Sequence, residues 1–148
     1  MQAAEAAKGL APNQPVLGAS AFSGDDAREA TVPLHRSVYG YDPDTATYSK
    51  TEDGHRLADA ALGQPLRIQM VIVLHTKVSV TSIVEDVNGA PGLDYDLDAS
   101  GQAEVYSRGK KATGTWSSAG RNAPLDFKLA DGSKLSLPRA LVWVDVVP

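Results

Sequence analysis

The sequence predicts an α+β protein that is mostly β, with a largely antiparallel sheet of hairpins and one or two short helices. Three observations lead to this prediction. Short apolar runs of strand length recur along the chain, and the longest of them covers residues 68–74. Turn signals such as Arg108-Gly109 and Asp131-Gly132 separate the runs of the last third. Helix-forming patterns are confined to residues 3–8 and 57–62.

The first half of the chain contains one predicted hairpin. Residues 3–8 are rich in alanine and predict a short helix. Residues 31–35 alternate in hydropathy around a proline, which confines this strand to a sheet edge. Residues 37–41 and 47–50 predict two paired strands, because Asp42-Pro43-Asp44-Thr45 between them is a turn whose Asp side chain can bond the backbone ahead.

The second half of the chain is richer in strands. Residues 67–75 carry apolar side chains on both faces, which predicts a central strand with cover on each side. Residues 78–84 are rich in β-branched side chains and predict another strand. Aromatic residues are few, so Trp116 and Trp143 are expected to be pillars of the core. Further strands are predicted at residues 103–107, 112–116, 125–129, 134–137 and 141–147.

The composition limits the classes of function. A chain of 148 residues corresponds to one domain, and the absence of cysteine excludes disulfides and thiolate chemistry. The net charge of −4 argues against a nucleic-acid partner, because such proteins carry a basic face. No run reaches the ~18 apolar residues of a membrane span. Residues 1–10 lack the basic and apolar regions of a signal peptide.

His55 is the candidate for a general base. Asp59 follows four residues later, so a helix over residues 54–59 would place both side chains on one face. A carboxylate beside an imidazole raises its basicity and fixes its tautomer. With Asp42 as a second carboxylate, these residues would suit a hydrolase acting on cell-wall or other polysaccharides. The same pair is also an ordinary contact on a helix surface.

Other catalytic and metal-binding motifs are incomplete. The sequence contains neither Gly-x-Ser-x-Gly nor the glycine spacing of a phosphate-binding loop. The histidines lie too far apart for the local pairs of a zinc site. We therefore expect no cofactor and no metal, and binding is favoured over catalysis. The histidines are His35, His55 and His75.

Three alternating aspartates form the most distinctive acidic pattern. On a strand Asp94, Asp96 and Asp98 would project from one face and could hold a cation such as calcium, so a calcium-stabilised structural module is an alternative. The EF-hand spacing fails, because glycine and glutamate are missing from the required positions. The pattern equally suits a solvated edge strand. The inward side chains of such a strand would be Leu93, Tyr95 and Leu97.

Several short motifs follow one another in a fixed order along the chain. A Tyr-Asp pair precedes Tyr-x-Lys and Gly-x-x-x-x-Asp, and a hydrophobic strand, Gly-Thr-Trp and Asp-Gly come after them. The residues concerned are Tyr41-Asp42, Tyr48 with Lys50, Gly54-His55 with Asp59, Val71-Ile72-Val73, Gly114-Thr115-Trp116 and Asp131-Gly132. This succession resembles the C-terminal domain of the YerB-like family of bacterial envelope lipoproteins, the DUF3048 family.

The resemblance implies that residues 1–148 form a single domain, without the N-terminal domain and lipoprotein signal of such proteins. It implies a non-catalytic binding or interaction domain outside the cytoplasm, in the cell envelope. The expected partners are an envelope protein, a cell-wall component or the N-terminal domain of the parent protein, with no nucleic acid and no direct membrane insertion. Binding usually resides on loops above a rigid sheet. The predicted ligand-binding residues are Tyr41, Asp42, Tyr48, Lys50, His55 and Asp59.

A structural interpretation of the same residues stays open. Tyr41 and Tyr48 are equally suited to the core, and Asp42 is equally suited to capping its own turn.

Overall fold

The computed structural model describes residues 22–33 and 36–148 and folds them into β-sheets joined by turns and loops. The predicted mostly β, largely antiparallel fold is confirmed, but no α-helix occurs within the described residues. The predicted helix at residues 3–8 lies outside them. The strands are β1 (Asp25–Asp26), β2 (Glu29–Val32), β3 (Ser37–Asp42), β4 (Thr47–Glu52), β5 (His55–Arg56), β6 (Met70–His75), β7 (Val78–Val84), β8 (Pro91–Tyr95), β9 (Ser100–Ser107), β10 (Lys110–Ser118), β11 (Leu125–Leu129) and β12 (Val142–Val147).

No helix forms at residues 57–62, and a single turn over residues 59–63 takes the place of the predicted helical turn. The carboxylate of Asp59 accepts hydrogen bonds from the N–H groups of Ala61 at 2.8 Å and Leu62 at 2.9 Å. Its carbonyl accepts from the N–H of Gly63 at 2.7 Å. These are the hydrogen bonds of a helix N-cap and of one i→i+4 turn, but Gly63 adopts a positive φ of 62° and ends the turn before a helix forms.

The largest sheet is built around β6. Its strand order is β1-β10-β9-β6-β12, and β11 also pairs with β10. The pairs are antiparallel except that β12 runs parallel to β6, with Val142 opposite Met70 and Val147 opposite His75. The strand predicted at residues 67–75 is therefore confirmed as a central strand, although it begins at Met70. The strand predicted at residues 134–137 does not form, and only Lys134 makes a bridge there.

The side chains of β6 divide between two cores because successive residues of a strand face opposite sides. Val71 and Val73 face the core under the four-stranded sheet β2-β3-β4-β5. Met70, Ile72 and Leu74 face the second core. The other buried residues of the first core are Ala30, Val32, Tyr39, Tyr48, Ile68, Tyr106 and Val147, and those of the second are Ala103, Val105, Trp116, Phe127 and Leu135.

Trp116 is a pillar of the second core, as predicted. Its side chain is 1% exposed, and its Nε1–H donates to the carbonyl of His75 at 2.8 Å. The indole passes over Gly101, where any side chain would collide with both Nε1 of Trp116 and the His75 carbonyl. Trp143 departs from the prediction, because it is only half-buried at the margin of the first core.

The predicted hairpin of residues 37–50 is confirmed as β3 and β4. Tyr41 pairs with Tyr48 and Asp42 with Thr47. Residues opposite each other share a face, so the two tyrosines point inward and the Asp42–Thr47 pair lies on the outer face. The edge strand beside β3 is Glu29–Val32 rather than residues 31–35, of which 34 and 35 lie outside the described residues.

Strands β7 and β8 form a separate two-stranded hairpin, which follows β6 and precedes β9 in the sequence. We call residues 77–98 the acidic arm. Leu93 and Leu97 were predicted to point inward, but they are 53% and 40% exposed, because no other strand of the described chain pairs with this hairpin. The described residues also contain no helix long and apolar enough to cross a bilayer.

Candidate functional site

The sequence-predicted site residues of the hairpin lie on two opposite faces of one sheet. Tyr41, Tyr48 and Lys50 project inward, toward the first core, and Tyr48 and Lys50 are buried. Asp42 lies on the outer face and is exposed. These residues therefore do not meet in one site. They belong to a buried polar cluster on the inner side and a groove on the outer side.

Lys50 is the centre of the buried cluster. Its side chain is 5% exposed, and Nζ lies 3.0 Å from Oε2 of Glu52 and 3.9 Å from Oδ1 of Asp145. The ammonium also sits 4.4 Å from the centre of the Trp143 ring, within the range of a cation–π contact. Two carboxylates and an aromatic face thus compensate for the loss of water around a buried cation.

Asp145 joins the cluster to the C-terminal strand. Its Oδ2 accepts from the hydroxyl of Tyr39 at 2.6 Å, and its Oδ1 accepts from Nε1–H of Trp143 at 3.1 Å. Among the described residues, every buried side-chain nitrogen and oxygen has a hydrogen-bond partner. The cluster therefore connects the four-stranded sheet to β12.

Two tyrosines of the first core are held in the neutral form. Burial, followed by the hydrogen bond to Asp145 and the charges of Asp145 and Glu52, raises the pKa of Tyr39 far above its usual range. Burial raises the pKa of Tyr48 to about 12, although the N–H of Gly109 donates to its hydroxyl at 2.9 Å. Each phenol is therefore a fixed hydrogen-bonding group at neutral pH.

Stability is expected to fall as the pH rises from about 10 toward about 12. An unfolded tyrosine releases its proton near pH ~10, whereas Tyr48 in the folded protein does so only near its raised pKa of about 12. Between these values the unfolded state binds fewer protons than the folded state, so the free energy of unfolding decreases with pH. Urea unfolding followed by circular dichroism over this range measures the slope.

The matched variants for this pH dependence are Tyr48→Phe and Tyr95→Phe. The first removes a buried hydroxyl and is expected to make the decline less steep, while Tyr39, whose pKa is also raised, continues to contribute to it. The second removes a hydroxyl from the half-buried end of β8 and is expected to leave the decline unchanged. Equal profiles for both variants would contradict the assignment to Tyr48.

A shallow groove of about 370 Å³ lies on the outer face of β3, β4 and β5. Residues 64–67 form a wall beside the strands, and Arg56 and Arg67 supply two positive charges. Neither arginine forms an ion pair with another residue that the structure describes. The lining residues are Asp42, Thr45, Thr47, Ser49, Arg56, Gln64, Pro65, Leu66 and Arg67.

Asp42 closes one end of the groove and also caps its own turn. Its carboxylate accepts from the N–H of Asp44 at 2.9 Å and from the hydroxyl of Thr45 at 3.0 Å. These two hydrogen bonds, with a smaller effect from the charge of Arg67, lower the pKa of Asp42 below its usual value. Asp42 therefore caps its own turn, which is the structural role that the sequence left open. Its side chain is also exposed in the groove.

His55 does not converge with Asp42 and Asp59. It lies in β5 opposite Glu52, so the predicted helix that would pair it with Asp59 is absent. The neighbouring Arg56 lines the outer groove, and successive strand residues face opposite sides, so His55 points away from the groove. Asp59 uses its carboxylate in its own turn. The arrangement that the hydrolase hypothesis requires is therefore not formed.

The three aspartates of the acidic arm do not share a strand face. β8 ends at Tyr95, so Asp96 and Asp98 lie beyond it, and Oδ1 of Asp96 accepts from the N–H of Asp98 at 3.1 Å. Within residues 22–33 and 36–148, no three His, Cys, Asp or Glu side chains are grouped so that they could hold a metal ion. The calcium-site geometry expected from the alternation is therefore wrong.

Comparison with known proteins places the chain in a family. Residues 30–144 match the family model described as "Protein of unknown function (DUF3048) C-terminal domain". The chain belongs to the DUF3048 family. The resemblance deduced from the order of the short motifs is thereby confirmed. A comparison with curated proteins gave no match.

This DUF3048 domain is also similar to a solved structure, the crystal structure of the YerB protein from Bacillus subtilis. The two chains are 20% identical and align with a TM-score of 0.61 over 86% of this chain and 43% of the YerB chain. The DUF3048 domain thus spans less than half the length of YerB. At this level of identity the match establishes a common fold.

The sequence analysis missed the charged residues that define the buried cluster and the outer groove of this chain. Asp145 is the single charge within the strand Val142–Val147, and an isolated charge in an apolar strand is a signal for a buried pair. Arg56 and Arg67 carried no comparable signal, because only the fold brings β5 and residues 64–67 to one groove.

Proposed function

We propose that this DUF3048 domain is a non-catalytic binding domain of a bacterial cell-envelope lipoprotein, and that it binds an acidic cell-wall glycan in the outer groove. The observation that carries the proposal is the presence of Arg56 and Arg67 in one open groove, neither of them within ion-pair distance of a carboxylate among the described residues. The location is proposed from the resemblance of the short motifs to the YerB-like family of envelope lipoproteins.

The groove chemistry suits an anionic saccharide. A guanidinium group presents a planar pair of donors that matches a carboxylate or phosphate. Thr47, Ser49 and Gln64 offer groups that can donate to and accept from sugar hydroxyls. Pro65 and Leu66 add apolar surface against which a sugar ring can pack. An open groove also accommodates a section of a polymer as well as a free sugar.

The sheet beneath the groove supports a preorganised site. Its inner face packs on the first core through fully buried Tyr39 and Tyr48, and Lys50 ties it to β12. The packed sheet fixes the backbone positions from which Thr47, Ser49 and Arg56 project into the groove. This rigidity favours recognition over a mechanism that requires closure of the groove.

The test is an NMR titration of the 148-residue protein with soluble cell-wall fragments that carry carboxylate or phosphate groups. We expect amide shifts confined to residues 42–49 and 56–67. Arg67→Gln is expected to weaken binding by about tenfold or more, because a hydrogen bond to a charged group contributes about 1.5–3 kcal/mol.

Arg121→Gln is the control for the loss of one exposed arginine outside the groove. Arg121→Gln is expected to leave the affinity for the acidic fragments unchanged. Exchanging the counterion of the fragments is also expected to leave the affinity unchanged. If a neutral chitin oligosaccharide bound with the same affinity as the acidic fragments, the arginines would not determine binding. Shifts that avoid the groove would refute the proposed site.

A further inference from the structure

The acidic arm holds the net charge of the whole protein. Residues 77–98 contain five carboxylates and one lysine and therefore carry a net charge of −4, equal to that of the full chain. The other 126 residues contain 13 basic and 13 acidic side chains and are neutral overall. The charged residues of the arm are Lys77, Glu85, Asp86, Asp94, Asp96 and Asp98.

One face of the same arm is apolar and open to solvent. Val80 pairs with Leu93 and Val84 with Pro91, so these side chains share a face. Val80 is 68% exposed, and Val84 and Leu93 are also exposed. The side chains of Thr81 and Glu85 pass over Gly92 on the opposite face.

The arm has a defined structure, although its strands pair only with each other within the described chain. The carboxylate of Asp86 accepts from the N–H groups of Asn88 at 2.8 Å and Ala90 at 2.9 Å, which closes the tip. The hydroxyl of Thr76 donates to the carbonyl of Asp96 and closes the base. A lone two-stranded hairpin is marginally stable in water, so an ordered arm with an uncovered apolar face is suited to packing against another surface.

We propose that the acidic arm docks onto a protein partner whose surface presents an apolar stripe flanked by lysine and arginine side chains. The negative charge of the acidic arm favours a partner whose surface is positively charged. A second copy would bring two arms of net charge −4 within about one Debye length of ~8 Å of each other, which is repulsive. Anionic lipid surfaces and nucleic acids are repelled for the same reason. This surface is separate from the outer groove, and neither proposal depends on the other.

The test uses two synthetic peptides as probes, one alternating lysine and valine and one alternating glutamate and valine. Each is titrated into the labelled chain and followed by NMR at low and at high salt. We expect the basic peptide to shift amides of residues 77–98 and to lose at least tenfold in affinity at high salt. The acidic peptide is expected not to bind.

Variants separate the apolar face from the charge. The double variant Val80→Thr/Leu93→Thr keeps strand-compatible side chains and is expected to weaken binding of the basic peptide at least tenfold. Asp94→Asn/Asp96→Asn keeps the side-chain shapes and is expected to reduce the salt dependence. The control is Leu137→Thr/Leu141→Thr, which changes two exposed leucines outside the arm and is expected to have no effect.

The remaining outcomes overturn the proposal. Failure of the basic peptide to bind, equal binding of both peptides, or shifts outside the arm would each exclude the proposed docking surface. Sedimentation that reveals a dimer abolished by Val80→Thr/Leu93→Thr would assign the apolar face to a second copy instead.

Discussion

Replacement of Lys50 by methionine is expected to lower the free energy of unfolding by about 3 kcal/mol. Removing one partner of a buried ion pair typically costs about 3–5 kcal/mol, because the other partner stays buried without its counter-charge. Here Asp145 is 11% exposed and would keep its hydrogen bonds from Tyr39 and Trp143, which places the loss at the lower end. Urea unfolding at neutral pH measures the change.

Lys111→Met is a matched control for this loss. Lys111 lies 3.0 Å from the carboxylate of Glu104 and 5.5 Å from the centre of the Tyr106 ring, which repeats the arrangement of Lys50 on the surface. Its side chain is 34% exposed, so we expect a loss below about 1 kcal/mol. Equal losses of unfolding free energy for Lys50→Met and Lys111→Met would show that the buried ion pairs of Lys50 do not stabilise the contact between the sheets.

A second substitution tests the cause of the Lys50 effect. Adding Asp145→Asn to Lys50→Met removes the more deeply buried of the two carboxylates that lose their counter-charge, while it keeps the size of the side chain and an oxygen acceptor. The double variant is therefore expected to be more stable than Lys50→Met alone. A further loss of stability would indicate that packing around Lys50, rather than charge, determines the effect.

Trp116→Ala is expected to destabilise the protein by about 3–5 kcal/mol. The substitution removes a fully buried indole from the second core and leaves a cavity against Ile72 and Phe127. It also leaves the carbonyl of His75 without its donor. Urea unfolding measures the loss, and Trp116→Phe is expected to be intermediate because it refills most of the cavity.

The control for the Trp116 substitution is Leu137→Ala. Leu137 is 49% exposed and belongs to neither core, so its truncation is expected to change stability by less than about 0.5 kcal/mol. A Trp116→Ala variant as stable as this control would contradict the role of Trp116 as a pillar.

The turns and hairpins illustrate how far local sequence predicts this fold. Arg108 and Gly109 adopt positive φ angles of 54° and 71° and join β9 to β10, as the dipeptide predicted. Such a turn depends on two adjacent residues and needs no distant partner. The helix predicted at residues 57–62 does not form, because Gly63 adopts a positive φ of 62° and ends the single turn there, with Pro65 following two residues later.

The candidate site was predicted less well than the fold, because its parts depend on distant segments. The capping role of Asp42 could be foreseen from its turn sequence, and the structure bears it out. The burial of Lys50 depends on Asp145, which lies 95 residues later in the chain. Arg56 and Arg67 meet in one groove only because residues 64–67 fold back along the sheet.

Patterns within a few residues of one another were sufficient to predict most of the longer strands, several of their turns and the two covered faces of β6, because strand alternation and turn stereochemistry are local properties. The tertiary structure alone decided that β12 runs parallel to β6, that Lys50 is buried and that the apolar face of the acidic arm is exposed. Each of these depends on which distant segment covers a given face, and the same short pattern is compatible with either result.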